Sequence, residues 1–298
     1  MKILIIGSTG FIGSHCLERF SIENEVYTVD TSPSRKINHF QIDPFNPSFD
    51  LIFKNIAFDI CINCVGSANV AYSFEHPYND FRLNVAIVIN ILTSIKQYAP
   101  TCKFINFSSA SVYGNPETLP IKENTILKPL SPYGFHKLQS EILLTEYHRF
   151  FGLKTCSLRV FSAFGERLKK QLFWDLYCKS INNKSVVLYG TGSESRDFIY
   201  IKDLISAIEI IIQNAQFFGE AINVASGVET SIAEAAQLFV NNYNNDLKIN
   251  FNGETKTGDP LNWKADISIL KSYGFEPKFN VQMGIKNYVA WLKQNELA

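Results

Sequence analysis

The feature that most constrains this chain lies at its start. In "KILIIGSTGFIGSHCLERF", residues 2–20, an apolar run gives way to Gly7, Gly10 and Gly13. The run is too short, and too soon interrupted by glycine, to read as a signal peptide. It reads as a buried strand that turns through a glycine loop into a helix. Such a loop is needed where backbone must turn tightly and approach a pyrophosphate, with the N–H groups of the next helix aimed at the phosphates. The following strand, "EVYTVD", ends in Asp30, seventeen residues past Gly13. A carboxylate there accepts hydrogen bonds from an adenosine ribose and repels a 2′-phosphate, so NAD is favoured over NADP. Arg35 and Lys36 follow closely and soften that preference. The plain alternative is a βαβ turn with Asp30 as a helix cap.

The first two-thirds of the chain alternate apolar strands with helical patterns. "KILIIG", "EVYTVD", "HFQID", "FDICINCV", "KFINFSS" and "KTCSLRVF" read as strands, with helices over about 11–20, 77–98 and 132–151. Strands that are apolar throughout, separated by helices, predict a doubly wound parallel α/β sheet of Rossmann type. After about Gly165 the segments become shorter and more polar, although "EAINVAS" offers one more strand to the sheet. The pattern predicts two units. Residues 1–165 with about 196–227 make the dinucleotide-binding domain, and about 166–195 with 228–298 make a smaller, interwoven C-terminal domain.

Composition excludes several classes. Lys plus Arg equals Asp plus Glu at 28 each, so no basic excess argues for nucleic acid or an acidic membrane surface. No stretch approaches the roughly 18 apolar residues of a membrane span, and a cytoplasmic location is expected. Cys61 and Cys64 spell C-x-x-C, but on a strand residues three apart point to opposite faces. No second Cys/His pair completes a zinc site, so no metal is expected, and the cysteines read as small core residues.

"NFSSASVYG" ends a strand with two serines, and "LSPYGFHKLQSEILL" opens a helix with Tyr133 and Lys137 one turn apart on one face. This is the one Tyr-x-x-x-Lys among thirteen tyrosines. A dehydrogenase acting on a secondary alcohol needs a base for the hydroxyl proton, and free tyrosine, with a pKa of about 10, is poor at neutral pH. A lysine ammonium beside it, with a cationic nicotinamide, favours tyrosinate. A serine on the facing strand can hold the substrate oxygen.

Together with "GSTGFIG", "VGSANVAYSFEHPYNDFRLNV", "SSASVYG", "SPYGFHK", "LRVFSAFG" and "GTGSESRDFIYIKDL", these motifs make the chain resemble the extended short-chain dehydrogenase/reductases of the nucleotide-sugar epimerase/dehydratase family, over nearly its whole length. The resemblance implies Ser109, Tyr133 and Lys137 as the catalytic residues. It assigns Gly7, Thr9, Gly10, Phe11, Ile12, Gly13, Asp30, Asp43, Val65, Gly66, Ser67, Asn84 and Phe161 to the cofactor, besides Tyr133 and Lys137. Asp43 falls where the family contacts adenine, and Asn84 where an asparagine braces the active-site strand. Ser67, Asn69, Ser109, Ser111, Ser162, Arg196 and Asp259 fall toward a nucleotide sugar, which the smaller domain binds. Arg196 would clamp its phosphates, for which a guanidinium fork is suited. The alternative for Arg196 is an ion pair with Asp197, and for Asp259 a turn residue. The resemblance also implies a homodimer through the two long helices, where Val85, Val88, Ile89 and Leu92 recur at helical spacing; covering the sheet is the alternative for them.

Two departures bear on the reaction. Ser162 stands where the family usually has Asn, and Glu166 follows Gly165 where Pro is common. Ala110 and Ser111 stand where 4,6-dehydratases of this family carry their acid, which disfavours dehydration. The resemblance thus implies an NAD-dependent nucleotide-sugar 4-epimerase, acting on an NDP-hexose and by preference a UDP-hexose. A reductase of an NDP-4-keto-6-deoxy sugar and a non-catalytic NAD-binding protein are the alternatives.

Overall fold

The protein is described by a computed structural model covering residues 1–34, 37–181, 183–244 and 246–296. Arg35 and Lys36, invoked above for cofactor preference, lie outside the described residues. The amino-terminal half runs β1 (Lys2–Ile6), α1 (Phe11–Phe20), β2 (Glu25–Asp30), β3 (His39–Gln41), α2 (Asp50–Asn55), β4 (Ile60–Asn63), α3 (Val70–Glu75), α4 (Pro77–Phe81), a π-helical turn (Arg82–Ala86), α5 (Ile87–Tyr98) and β5 (Lys103–Ser109). A 3₁₀ turn (Ala110–Val112), α6 (Pro132–Phe151), β6 (Thr155–Val160), β7 (Ser162–Phe164), α7 (Gln171–Ser180), β8 (Ser185–Leu188) and β9 (Ser195–Tyr200) follow. The chain then passes through α8 (Ile201–Asn214), β10 (Phe218–Val224), β11 (Glu229–Ser231), α9 (Ile232–Tyr243), β12 (Lys248–Phe251), α10 (Ser268–Ser272) and α11 (Val281–Glu296).

Seven strands form one parallel sheet in the order β10-β6-β5-β4-β1-β2-β3. Its apolar strands alternate between two cores. Ile3 and Ile5 of β1, Ile60 and Ile62 of β4 and Ile105 of β5 enter one. Leu4, Ile6, Cys61 and Phe104 enter the other. Side chains along a strand alternate in direction, so a strand covered on both faces is apolar at every position. Each such side chain, fully buried, contributes about 1.5–3 kcal/mol relative to exposure. Helices α1 and α8 pack together on one face, and on the other α5 packs against both α2 and α6. "EAINVAS" does return to this sheet, as β10 against β6.

Two smaller sheets complete the fold. Strands β11, β9 and β7 form one, with β9 antiparallel to β11 and parallel to β7, and β12 pairs with β8.

The helix expected over 132–151 forms as a unit because both ends are specified. The Ser131 hydroxyl caps Gly134 N–H, Pro132 opens the first turn, and Gly152 closes it at φ 71°. The helix expected over 77–98 forms as one continuous helical run, α4, the π turn and α5 in succession, with α3 a separate short helix before it. Val85, Val88 and Leu92 are buried there, whereas Ile89 is exposed; three of the four thus face inward. The C-x-x-C pair divides as well. Cys61 is buried in β4, whereas the thiol of Cys64 hydrogen-bonds that of Cys16 on α1. Among the described residues no cluster of three or more metal-ligating side chains occurs, and no helix is long and apolar enough to cross a membrane.

Candidate active site

The glycine loop joins the carboxyl end of β1 to α1, where open parallel sheets bind ligands. Gly7 has φ 81°, and a Cβ at Gly13 would collide with the carbonyl oxygen of Gly7. Both positions therefore require glycine if loop and helix are to pack this closely. The capping residue of α1, Gly10, brings no side-chain hydrogen bond, and no acidic residue lies in the first turn. Phe11 and Ile12, in that turn, are half-buried against the core. The N-terminal N–H groups of α1 and its positive dipole end thus meet no side-chain anion there.

Asp30 closes the next strand. Its Oδ2 accepts the Thr9 N–H at 2.9 Å and the Thr9 hydroxyl at 2.7 Å, and its Oδ1 accepts Thr31 N–H at 2.8 Å. Burial works against the charged form, but these donors outweigh it and hold the carboxyl below its usual range. Asp30 is thus an anion that also braces the glycine loop. Asp43 is exposed and accepts the N–H of Phe45 at 2.8 Å. Val65 donates its N–H to Asn63 Oδ1 at 3.2 Å, and its side chain touches Gly7. Ser67 is half-buried in the segment that follows.

The side chains of Asn84 and Lys137 converge over Gly66. A Cβ there would lie 2.8 Å from Asn84 Oδ1 and 3.0 Å from Lys137 Nζ. Asn84 is buried in the π turn and donates Nδ2 to the Asp80 carbonyl at 3.1 Å, while its Oδ1 has no partner among the described residues. A π turn carries one extra residue, and such turns recur at functional sites because they re-aim a side chain. Lys137 is buried and donates to the Phe107 carbonyl at 2.8 Å. Burial brings its pKa down to about 8. Tyr133 is buried one turn earlier, and the Lys137 ammonium lies 5.9 Å from its ring centre. Burial pushes the Tyr133 hydroxyl up to about 12, although a hydrogen bond with Ser109 lowers it. Desolvation of the phenol, with the Asp80 charge acting in the same direction, outweighs the Ser109 hydrogen bond. Ser109 ends β5, and its hydroxyl also accepts the N–H of Ser111 at 3.1 Å. The Ser111 hydroxyl is buried and without a partner among the described residues.

Behind these groups lie polar networks that sequence reading missed. Asn63 Nδ2 donates to Asn106 Oδ1 at 2.8 Å, Asn106 donates to the Ser140 hydroxyl at 3.2 Å, and Ser140 donates to the Lys137 carbonyl at 2.7 Å. Glu141 accepts Ser108 and pairs with Arg159 at 2.8 Å; Arg159 also reaches the Tyr113 hydroxyl at 2.8 Å. Buried polar residues at alternate strand positions were the available signal, but their partners lie 18 to 46 residues away in sequence.

A second wall comes from β7, β9 and the segment near residue 260. Arg196 donates to the Ser195 carbonyl at 2.8 Å and the Leu261 carbonyl at 3.2 Å, with its guanidinium 5.6 Å from the Trp263 ring centre. It makes no ion pair with Asp197. That carboxylate is buried and accepts the Ser226 N–H and hydroxyl and the N–H groups of Gly227 and Ala265. Neighbouring residues of a strand face opposite ways. Asp259 follows Gly258, whose backbone approaches Val70, Phe74 and Ser131, and its charge acts on Arg196. Ser162 is half-buried on β7. Phe161 is buried with Tyr113 and Trp263 around it, and Asn69 caps α3 by accepting Tyr72 N–H at 3.0 Å. Glu166 accepts the Tyr200 hydroxyl at 2.6 Å.

A parallel sheet in this strand order, a glycine loop at its first turn and a Tyr–Lys pair beside the fifth strand define a short-chain dehydrogenase/reductase. More narrowly, the chain belongs to the NAD dependent epimerase/dehydratase family, whose sequence model matches residues 3–225. It is 30% identical to a provisionally named UDP-glucose 4-epimerase of Methanocaldococcus jannaschii over 321 aligned residues, covering 98% of this chain and 99% of that one. It is 26% identical to the UDP-glucuronate 4-epimerase of Thermodesulfobacterium geofontis, covering 98% and 96%. Among solved structures, the UDP-N-acetylglucosamine 4-epimerase of Methanobrevibacter ruminantium M1, in complex with UDP-N-acetylmuramic acid, is similar at a TM-score of 0.89 and 26% identity, covering 99% of this chain and 98% of that chain.

The residues present fit NAD. The glycine cradle and uncapped helix start suit a pyrophosphate, the Asp30 anion suits a ribose diol, and over Gly66 Asn84 Oδ1 offers an unmatched acceptor beside the Lys137 ammonium, which spends one donor on Phe107.

Proposed function

We propose that this chain is an NAD-dependent nucleotide-sugar 4-epimerase acting on a UDP-hexose. The observation that carries the reading is the convergence of Ser109, Tyr133 and Lys137 at the sheet end that also holds the glycine loop. The relatives named above as 4-epimerases of UDP-sugars support the choice of reaction.

Bound NAD would supply a reversible hydride acceptor for C4 of the sugar. The chain's own residues manage the proton. Ser109 hydrogen-bonds the C4 oxygen, and Tyr133 removes its proton and later returns one. Lys137 stays an ammonium up to about pH 8 and supplies positive charge that favours the tyrosinate. Gly7, Thr9, Gly10, Phe11, Ile12, Gly13, Asp30, Asp43, Val65, Gly66, Asn84 and Phe161 line the cofactor's path. Arg196 binds the diphosphate, with Ser67, Asn69, Ser111, Ser162 and Asp259 around the rest of the nucleotide sugar. Ala110 and Ser111 stand where dehydratases of the family carry their acid, which argues against 4,6-dehydration.

The smaller domain, about 166–195 and 228–298, carries the sugar-nucleotide side of the cleft. We also infer a cytoplasmic homodimer. Six free cysteines fit a reducing compartment. The exposed apolar residues Phe81, Leu83, Ile89, Phe135, Ile142 and Phe150 on α4 to α6 fit a helix-to-helix interface.

The test is to purify the protein, assay for co-purifying NAD, and incubate it with UDP-glucose, UDP-glucuronate and UDP-N-acetylglucosamine, following products by NMR. Interconversion of C4 epimers without added reductant is the expected result. Stoichiometric oxidation of NADH or NADPH with a 4-keto sugar, and no interconversion, would replace the epimerase by a reductase.

A further inference from the structure

Beside the Tyr133–Lys137 pair lies a buried carboxylate outside the proton-transfer group. Asp80, on α4, is wholly buried, and its Oδ2 lies 2.6 Å from Nδ1 of His136. Its Oδ1 has no hydrogen-bond partner among the described residues. A buried carboxylate with one oxygen unmatched is costly unless a nearby cation offsets it.

The placement joins two elements of the site. Asp80 lies four residues before Asn84, and its carbonyl accepts the Asn84 amide at 3.1 Å. His136 immediately precedes Lys137 on α6, and Phe81 lies edge-on to its ring at 5.6 Å, shielding the contact. One buried link therefore clamps the π turn that aims Asn84 to the helix that carries Tyr133 and Lys137. The Asp80 charge reaches both members of that pair, favouring the ammonium of Lys137 and opposing ionisation of Tyr133. The other groups facing the pair are Lys170, ahead of α7, which opposes the ammonium, Glu141 on α6, which favours it, and Ser109 on β5, which favours tyrosinate.

We propose that Asp80 is an electrostatic positioning residue, held by His136, whose carboxylate sets the pH window in which the Tyr133–Lys137 pair works. This rests on reading that pair as the proton-transfer group. The signs are definite. A carboxylate beside an ammonium raises the lysine's proton affinity, and beside a phenol it raises the phenol's. Removing the charge therefore lowers both, and the whole bell-shaped profile of kcat against pH moves toward acid.

The experiment is an NMR titration of lysine labelled at Cε, with the Lys137 signal assigned by its loss in Lys137→Met, alongside the pH profile of kcat. In Asp80→Asn, close in shape but uncharged, the Lys137 titration falls by on the order of one pH unit and both limbs of the profile follow it. His136→Gln keeps a donor for Asp80 without a chargeable ring, and does not lower the titration. A titration that rises in Asp80→Asn reports water entering a loosened site and overturns the proposal, as does no shift. A fall of the Lys137 titration in His136→Gln also overturns it, and that variant decides alone should Asp80→Asn fail to fold. Turnover surviving in Tyr133→Phe would sink the functional reading, while the Lys137 titration still judges the role of Asp80.

Discussion

The two walls of the candidate cleft are built in opposite ways. One stands on the carboxyl ends of β1, β2, β4 and β5 and on the first turns of α6, and several of its groups are held by near neighbours in sequence: Ser111 on Ser109, Lys137 one turn from Tyr133. The other is assembled from distant pieces. Ser195 N–H donates to Leu261 at 3.1 Å, Trp263 N–H to Ser195 at 3.2 Å, and the Trp263 indole to Gly114 at 3.0 Å. Leu261 N–H reaches Asn115 at 2.7 Å. Strand ends of a doubly covered sheet hold a group rigidly, which suits proton transfer, where small misplacements are costly. A wall tied across long loops can vary while the sheet stays fixed, which suits recognition of different sugars.

The largest test of that contrast is Tyr133→Phe. Loss of a positioned acid–base group reduces kcat by about 10²–10⁴-fold. NAD binding, measured by calorimetry, is expected to persist, because the glycine loop and Asp30 do not depend on the hydroxyl. Loss of NAD binding as well would mean that the wall is not the set of separable parts described here.

Next in size is Glu141→Gln. Glu141 is buried with Arg159, and removing one partner leaves the guanidinium uncompensated. Breaking such a pair destabilises by about 3–5 kcal/mol, and the low end applies because Arg159 keeps the Tyr113 hydroxyl and the Glu123 carbonyl. Urea unfolding reads the loss. A change under about 1 kcal/mol would show that water reaches the pair and that this wall is less rigid than its burial implies.

Arg196→Lys probes the other wall. A lysine keeps the charge but not the bidentate fork or the contact with Trp263. KM for a UDP-sugar is expected to rise about tenfold with kcat little changed, the mark of uniform binding. A fall in kcat with KM unchanged would move Arg196 to the chemistry and blur the division between the walls.

The same division decides what could be read from sequence. The sheet was legible because each buried strand is apolar at every position, and α6 because Ser131, Pro132 and Gly152 mark its ends. The glycine loop and the Tyr–Lys pair were legible because their parts lie within a turn or two of one another. The π turn at Arg82–Ala86, inside the helix expected over 77–98, was not, since helical spacing of apolar residues does not mark one extra residue in a single turn. Nor was the Asp80–His136 contact, which spans 56 residues. The alternative reading of Arg196, an ion pair with Asp197, fails for a different reason: the alternation of β9 sends the two apart and gives Asp197 to Ser226, Gly227 and Ala265.

Asp197 therefore offers the smallest and most discriminating test of how the second wall is held. It is buried, and burial pushes its carboxyl up to about 6 against the pull of the Ser226, Gly227 and Ala265 donors. An acid whose folded pKa lies above its unfolded value of about 3.9 binds more protons folded than unfolded between those two values. Its contribution to stability is then greatest in acid and is lost as pH rises through about 6. For wild type this amounts to about 1 kcal/mol between about pH 5 and pH 7. Other carboxylates titrate too, so the readout is the difference in slope between wild type and Asp197→Asn, each measured by denaturant unfolding at both pH values. Asn cannot accept all the same bonds and lowers stability at every pH, but it removes this slope. Equal slopes would mean that Asp197 is solvated enough to titrate normally, and that the second wall is an open surface instead of one pinned by a buried carboxylate.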